Sequence, residues 1–213
     1  MVLPTPTEPE RAPKKRFQPD SWAGAFTLMA VLLGVLWLVQ LVNASNGDRL
    51  VRFGLHPRDL DGLQGIITEP FLHSSYGHLL ANSLPFLALG WLVLTSGFRA
   101  WLLATGIIMG IDGIFTWLVA PSGTVVGASG VVFGWLAYLI ARAYFARKIA
   151  WIIIAVAAAA TFSSLFTGLL PGTSGVSWQA HVGGFLGGIA AGWVLHPRKS
   201  KKATTSTTQR AAT

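Results

Sequence analysis

The chain of 213 residues contains no cysteine, which excludes disulfides, thiol nucleophiles and zinc-thiolate sites without revealing the compartment. Charge is scarce as well. Only 11% of the residues are charged while 52% are hydrophobic, whereas about a quarter of a soluble domain is charged. Acids are the scarcer sign: 8 against 16 lysines and arginines, for a formal net charge of +8. Metal chemistry would have to come from five histidines and those eight acids. The balance is that of a membrane protein, and the length suits one domain with tails.

What the chain does have is apolar length. A spanning helix needs roughly 17 to 25 mostly apolar residues, and the sequence divides into six such lengths wherever Pro, Gly or charge interrupts it. The spans are expected from about Trp22 to Asn43, Tyr76 to Thr95, Ala100 to Ala120, Ala128 to Tyr144, Ile149 to Leu170 and Gln179 to Leu195. The expected fold is an all-α, polytopic bundle over residues 22–196, with tails at 1–21 and 197–213. Small residues in "VNA", ending at Ala44, would suit a signal peptidase. The apolar run before them is longer than the roughly 7 to 15 residues of a signal core, so the first span is expected to stay.

Orientation follows from the basic residues, because positively charged loops resist translocation. Six spans put both tails on one side, together with the loops holding Arg99 and Arg142, Arg147 and Lys148. Of the 16 basic residues, only Arg49, Arg52 and Arg58 fall on the other side, in a first loop that also carries Asp48, Asp59, Asp61 and Glu69. Both termini are therefore expected in the cytoplasm. The net charge is then a topology signal with some attraction to anionic lipid, and nucleic-acid binding explains it poorly. The Thr-rich tail has the composition of a disordered segment.

In this topology the second, fourth and sixth spans all run inward from the outer face, so their first turns lie at one depth. Those turns hold His78 and Asn82, one helical turn apart on one face, then Ser129 in "GASG", then His181. Each has a structural explanation when taken singly. Gly127, Gly130 and Gly134 can serve close helix approach while the serine hydroxyl bonds its own helix. A histidine in a span can simply bond a neighbouring carbonyl, and Asn82 can join two helices.

Taken together they suit acyl transfer. A serine hydroxyl is a weak nucleophile until a base takes its proton, and His181 can be that base. Negative charge then develops on the attacked carbonyl oxygen, where His78, the Asn82 amide and the Ser129 N–H can supply donors. Glycines beside Ser129 leave room for a substrate backbone.

These residues resemble the rhomboid intramembrane serine proteases. "GASG" at Gly127 to Gly130 is similar to the family's GxSG nucleophile motif, "HSSYGHLLAN" to its HxxxxHxxxN pattern at His73, His78 and Asn82, and "AHVGGFLGG" to the helix bearing the base. In that helix Gly184, Gly188 and Gly192 form a stripe suited to close packing. The resemblance implies a Ser129–His181 dyad with no acidic third member, an oxyanion hole using His78 and Asn82, and a structural His73 tethering the first loop. It implies neither metal nor other cofactor, and substrates that are single-span membrane proteins cut within the bilayer near the outer face. There are two departures. The Trp-Arg pair common in the family's first loop is missing from "DGLQGIITEPFLH", and Phe133 replaces a frequent tyrosine four residues after the nucleophile. Phe133 can still pack on the His181 ring.

Asp112, the one acid inside a span, could orient His181 or bond Thr116 on its own helix face. Of the competing functions, an inactive rhomboid-like escort of transmembrane helices would usually lack the serine or the base. A transporter leads one to expect an internal repeat, and the sequence shows none. A metal site lacks a third ligand at the level of His78 and His181. His56 in the first loop and His196 at a helix end are too far from that level to join it.

Overall fold

A computed structural model describes residues 18–19, 21–172 and 176–196. The expected tails lie outside them apart from residues 18, 19 and 21, as do residues 173–175 of the loop before the last span. The described residues form helices α1 (Trp22–Ser45), α2 (Gly65–Thr68), α3 (Tyr76–Leu94), α4 (Phe98–Val119), α5 (Ser129–Ala146), α6 (Ile149–Thr161) and α7 (Trp178–Val194), with short 3-10 turns between them. Among the described residues there is no strand, only an isolated antiparallel bridge between Leu55 and Val125. The protein is an all-α polytopic membrane protein.

Four helices, α1, α3, α4 and α5, are long and apolar enough to cross a membrane. The fifth expected span is not one straight helix. Regular helix stops at Thr161, and the chain turns by 69° into a 3-10 segment, Ser163–Leu169. The local sequence accounts for the break. Ser163, Ser164, Thr167 and Gly168 are weak helix formers, and the Thr167 hydroxyl donates back to the Ser164 carbonyl at 2.7 Å. Helix α7 has 17 residues, at the short limit for a span.

Helix α5 is the hub, touching α3, α4, α6 and α7. Its core face joins Trp135 to Phe86 of α3, with ring centroids 5.1 Å apart, and donates from the Trp135 indole to Thr105 of α4 at 2.9 Å. The packing is tightest against α7. A Cβ added at Gly184 would lie 1.9 Å from the Gly130 carbonyl oxygen, and one at Gly188 would lie 2.1 Å from that of Gly134. The glycine stripe thus brings the two backbones into contact, the gain small residues offer where lipid supplies no hydrophobic drive between helices.

The first loop is stapled to the α4–α5 loop without a Trp-Arg pair. Leu55 and Val125 exchange two backbone bonds at 2.8 and 2.9 Å, the Trp117 indole donates to the Asp59 carbonyl at 2.8 Å, and the Arg58 guanidinium donates to the Ala120 carbonyl. Asn43 at the end of α1 binds both ends of the loop, accepting from the Leu50 N–H at 2.9 Å and donating to the His73 carbonyl at 3.3 Å.

Candidate active site

Side-chain caps start two of the helices that matter. Ser75 accepts from the His78 N–H at 3.1 Å and Ser177 from the Ala180 N–H at 3.4 Å, each satisfying an otherwise orphaned donor. His78 and His181 consequently sit in first turns. Helix α5 begins differently. Gly127 has φ +128°, a conformation glycine adopts without a Cβ penalty, and a side chain there would begin 2.7 Å from the His78 ring. That turn delivers Ser129 as the first residue of α5.

Ser129 and His181, 52 positions apart, are hydrogen-bonded: Oγ lies 2.9 Å from His181 Nε2. The other ring nitrogen fixes the proton. His181 Nδ1 lies 2.8 Å from the Gly168 carbonyl oxygen, which can only accept, so Nδ1 carries the hydrogen. In the neutral ring Nε2 is then a bare acceptor facing the Ser129 hydroxyl. Phe133 stacks on the imidazole with centroids 4.1 Å apart and planes inclined by 13°, so a phenyl ring without a hydroxyl suffices to hold it flat.

His78, Asn82, Ser129, Phe133 and His181 line one cavity of about 870 Å³, with Ser74, Gln179 and Gly168 also on its walls. The four polar groups, His78, Asn82, Ser129 and His181, thus face one shared space. The Asn82 amide donates to the His78 carbonyl on its own helix at 3.0 Å, which orients the group and leaves its second N–H for other use. His78 Nδ1 pairs with the Ser74 hydroxyl at 3.2 Å. The Ser129 N–H belongs to the first turn of α5, where backbone donors lack intrahelical acceptors.

The turn carrying the serine is held from below by the first loop. Its Gly127 N–H donates to the Glu69 carbonyl at 2.9 Å and its Ala128 N–H to His73 Nε2 at 3.4 Å. His73 is 1% exposed. Burial first, then the charge of nearby His78, push it down to about 4, so it is neutral at physiological pH and Nε2 remains an acceptor. The Glu69 side chain, 2% exposed, has Oε2 buried with no hydrogen-bond partner among the described residues. Burial, and then the Asp112 charge, hold its carboxyl well above the usual carboxylate range.

Asp112 accepts from the Thr116 hydroxyl at 3.1 Å, the second of the two expected arrangements. His56 pairs at 3.0 Å with Thr124, a residue of the cavity wall, without lining the cavity itself, and His196 packs on Phe145 at 5.6 Å, away from it. Sequence reasoning missed Gly168, Ser74 and Glu69. Gly168 acts through a backbone carbonyl, for which no side-chain pattern exists. Glu69 reads as one more loop acid, although its place four residues before His73 was a usable signal. Among the described residues no cluster of three or more His, Cys, Asp or Glu could hold a metal ion.

A family model for the Rhomboid domain matches residues 61–198. An uncharacterized protein of Mycobacterium tuberculosis is 35% identical over 189 residues, covering 84% of this chain and 79% of that protein. One of Mycobacterium leprae is 30% identical over 203 residues, covering 91% of this chain and 79% of its own length.

Proposed function

Since the chain belongs to the rhomboid family, we propose that it is an intramembrane serine endopeptidase, cutting transmembrane segments with a Ser129–His181 dyad. The observation that carries this reading is the 2.9 Å bond between Ser129 Oγ and an Nε2 whose acceptor state follows from the Gly168 carbonyl. The family supplies the class of reaction, and the bonded pair supplies the means in this chain.

In the proposed reaction the Ser129 hydroxyl adds to a substrate carbonyl carbon while His181 Nε2 takes its proton. The carbonyl oxygen becomes an oxyanion, met by the Ser129 N–H, the free Asn82 amide hydrogen and the His78 ring, donors fixed before charge develops. Collapse breaks the C–N bond, and Nε2–H gives its proton to the leaving amine. A water then repeats the sequence on the acyl-serine, losing its proton to Nε2 and releasing the carboxylate and the serine. Gly168 keeps Nδ1–H in place throughout, the orienting task that an aspartate performs in a triad.

The domain assigned to this activity is 22–196, with both tails in the cytoplasm and the cavity open to the outer face, as the distribution of basic residues favours. Substrates are single-span proteins whose helices unwind near that face, because a helix hides the carbonyls a protease must reach.

The test is fluorophosphonate labelling of the full chain in detergent, together with cleavage of a model transmembrane substrate. Wild type should be labelled, Ser129→Ala should not, and Ser129→Ala and His181→Ala should each abolish cleavage while remaining folded. Removing both should cost little more than removing one. Substantial cleavage by either single variant would remove the dyad.

A further inference from the structure

Asp112 takes no part in that chemistry, yet it lies where the three helices around it meet. It is 1% exposed, and burying a carboxyl costs free energy that an apolar side chain of similar size avoids. Its Oδ1 is engaged by Thr116 one turn later on α4, which fixes the direction of the carboxyl. Its Oδ2 occupies the closest approach of α5. A Cβ added at Gly130 would lie 1.8 Å from Oδ2, and the three nearest atoms to it would all belong to the Asp112 carboxyl. On α7, a Cβ added at Gly183 would lie 2.9 Å from the Asp112 Cα and 3.1 Å from both its carbonyl oxygen and its Oδ1. Gly130 follows Ser129 directly, and Gly183 lies two residues beyond His181.

We propose that Asp112 is a positioning residue for the dyad. Its carboxyl fills the space that Gly130 leaves on α5, while its main chain together with Oδ1 fills the space that Gly183 leaves on α7. It thereby sets the separation at which His181 Nε2 meets Ser129 Oγ. The inference rests on the dyad reading. The role is one of shape, because His181 Nδ1 is already taken by Gly168 and Asp112 does not bond the imidazole. A neutral side chain of the same outline therefore serves equally, and a methyl group placed on the facing residue replaces part of the missing carboxyl.

The experiment measures the second-order rate of fluorophosphonate labelling per folded molecule, in the full chain, beside thermal stability and kcat and KM for a transmembrane substrate. Ser129→Ala is the control for the reading beneath it: a wild type whose labelling does not depend on Ser129 removes the dyad and this inference together. With that dependence established, Asp112→Asn should label within about threefold of wild type. Asp112→Ala should slow by about tenfold or more, through kcat with KM unchanged, as a displaced reacting group does. Gly130→Ala alone should be slow too, because its methyl collides with Oδ2. The decisive variant is the double one, Gly130→Ala with Asp112→Ala, which should be faster than Gly130→Ala alone and within about fivefold of wild type, a non-additive recovery of the kind neighbouring residues show. The proposal is overturned if folded Asp112→Ala labels at the wild-type rate, if Asp112→Asn is as slow as Asp112→Ala, or if the double variant gains nothing over Gly130→Ala. Should Asp112→Ala fail to fold, the comparison of Gly130→Ala with the double variant still decides, and a double variant that also fails to fold counts against the spacer.

Discussion

Helices α7 and α6 both lean on α5, and they do so in opposite ways. Against α7 the backbones themselves meet, with Gly184 and Gly188 facing the Gly130 and Gly134 carbonyls and no room for a methyl group. Against α6 the surfaces stand apart around a groove of about 510 Å³, walled by Ile140, Ala143 and Tyr144 on one side and Ile152, Ala155, Val156 and Ala159 on the other. Helix α6 is also bent at Phe162 and leaves Ile149, Ile153 and Val156 facing outward at 71%, 61% and 63% exposure. Ser129 and His181, the proposed nucleophile and base, ride on the closed seam, where a displacement of about 1 Å can cost about 100-fold in rate. The open side leaves α6 room that the seam denies α7. One bond crosses between the two regimes, since the Gly168 carbonyl that orients His181 belongs to the segment following α6.

The contrast is broken most severely from the seam. Gly184→Leu would drive a side chain into the Gly130 carbonyl, and neither backbone can yield. Labelling at Ser129 and folding are expected to be lost together, measured by probe incorporation and size-exclusion profile. Ile153→Leu on the outward face of α6 should change neither. Wild-type labelling in folded Gly184→Leu would mean that the seam does not set the dyad.

Next in size is Asn82→Ala, which removes one of the proposed oxyanion donors while leaving the seam intact. A lost donor typically costs about 100-fold to 1,000-fold in turnover, and redundancy with His78 and the Ser129 N–H makes the lower end the expected value. The loss should fall on kcat and leave KM nearly unchanged. An unaltered kcat would assign the amide to packing between helices.

The pH dependence of stability sharpens the comparison from below, through the two buried loop residues that hold the Gly127–Ala128 turn. His73 titrates at about 4 in the fold against an ordinary 6.5. Its contribution is therefore fully present above 6.5 and is lost as pH falls from there to about 4. At 1.36 kcal/mol per pH unit the full loss is about 3 kcal/mol. Glu69 has the opposite sign. With its folded value raised above 4.5, its contribution is present below 4.5 and lost as pH rises through the folded value. Glu69→Gln should accordingly raise thermal stability at pH 8 and change little at pH 4. A stabilisation equal at both would detach the effect from the proton.

How far this was legible in the sequence follows the same division. The seam and the pairing of Ser129 with His181 were readable because they rest on side chains with narrow chemical uses at fixed places: glycines every fourth residue in α7, a serine between glycines, and histidines in the first turns of two inward-running spans. The limits of five of the six long helices fell within a few residues of their expected positions. What escaped depends on tertiary geometry. The bend at Phe162 needed the low helix propensity of Ser163 to Gly168 to outweigh an apolar composition that reads as continuous span. The Gly168 carbonyl has no signature in the sequence, and Glu69 stands there among other loop acids, marked only by its place four residues before His73. The loop lacks the family's Trp-Arg pair, and its anchoring comes from the backbone pairing of Leu55 with Val125 and from the side chains of Asn43, Arg58 and Trp117, which no local pattern marks.

The smallest expected effect belongs to the open side and concerns how a transmembrane substrate reaches Ser129. If substrates arrive laterally, they pass between α3 and the bent segment after α6, where contacts with α3 are sparse. Leu84 on α3 is 66% exposed and Phe166 on the 3-10 segment 36%, so truncating them removes little core packing. Phe166→Ala or Leu84→Ala should then speed cleavage of a transmembrane substrate, by about fivefold if the barrier to entry falls by about 1 kcal/mol. A small fluorophosphonate needs no such opening, and its labelling rate should stay within about twofold, because Phe166 lies two residues from Gly168 without forming the bond to His181. The two rates together separate access from chemistry. Acceleration of both would point to a loosened dyad, and acceleration of neither would leave lateral access through this side without support. Cysteines introduced at 84 and 166, in a chain that has none, extend the test. A complete crosslink should block the transmembrane substrate, spare probe labelling and be reversed by reductant, whereas full cleavage in the crosslinked protein would show that substrates arrive by another route.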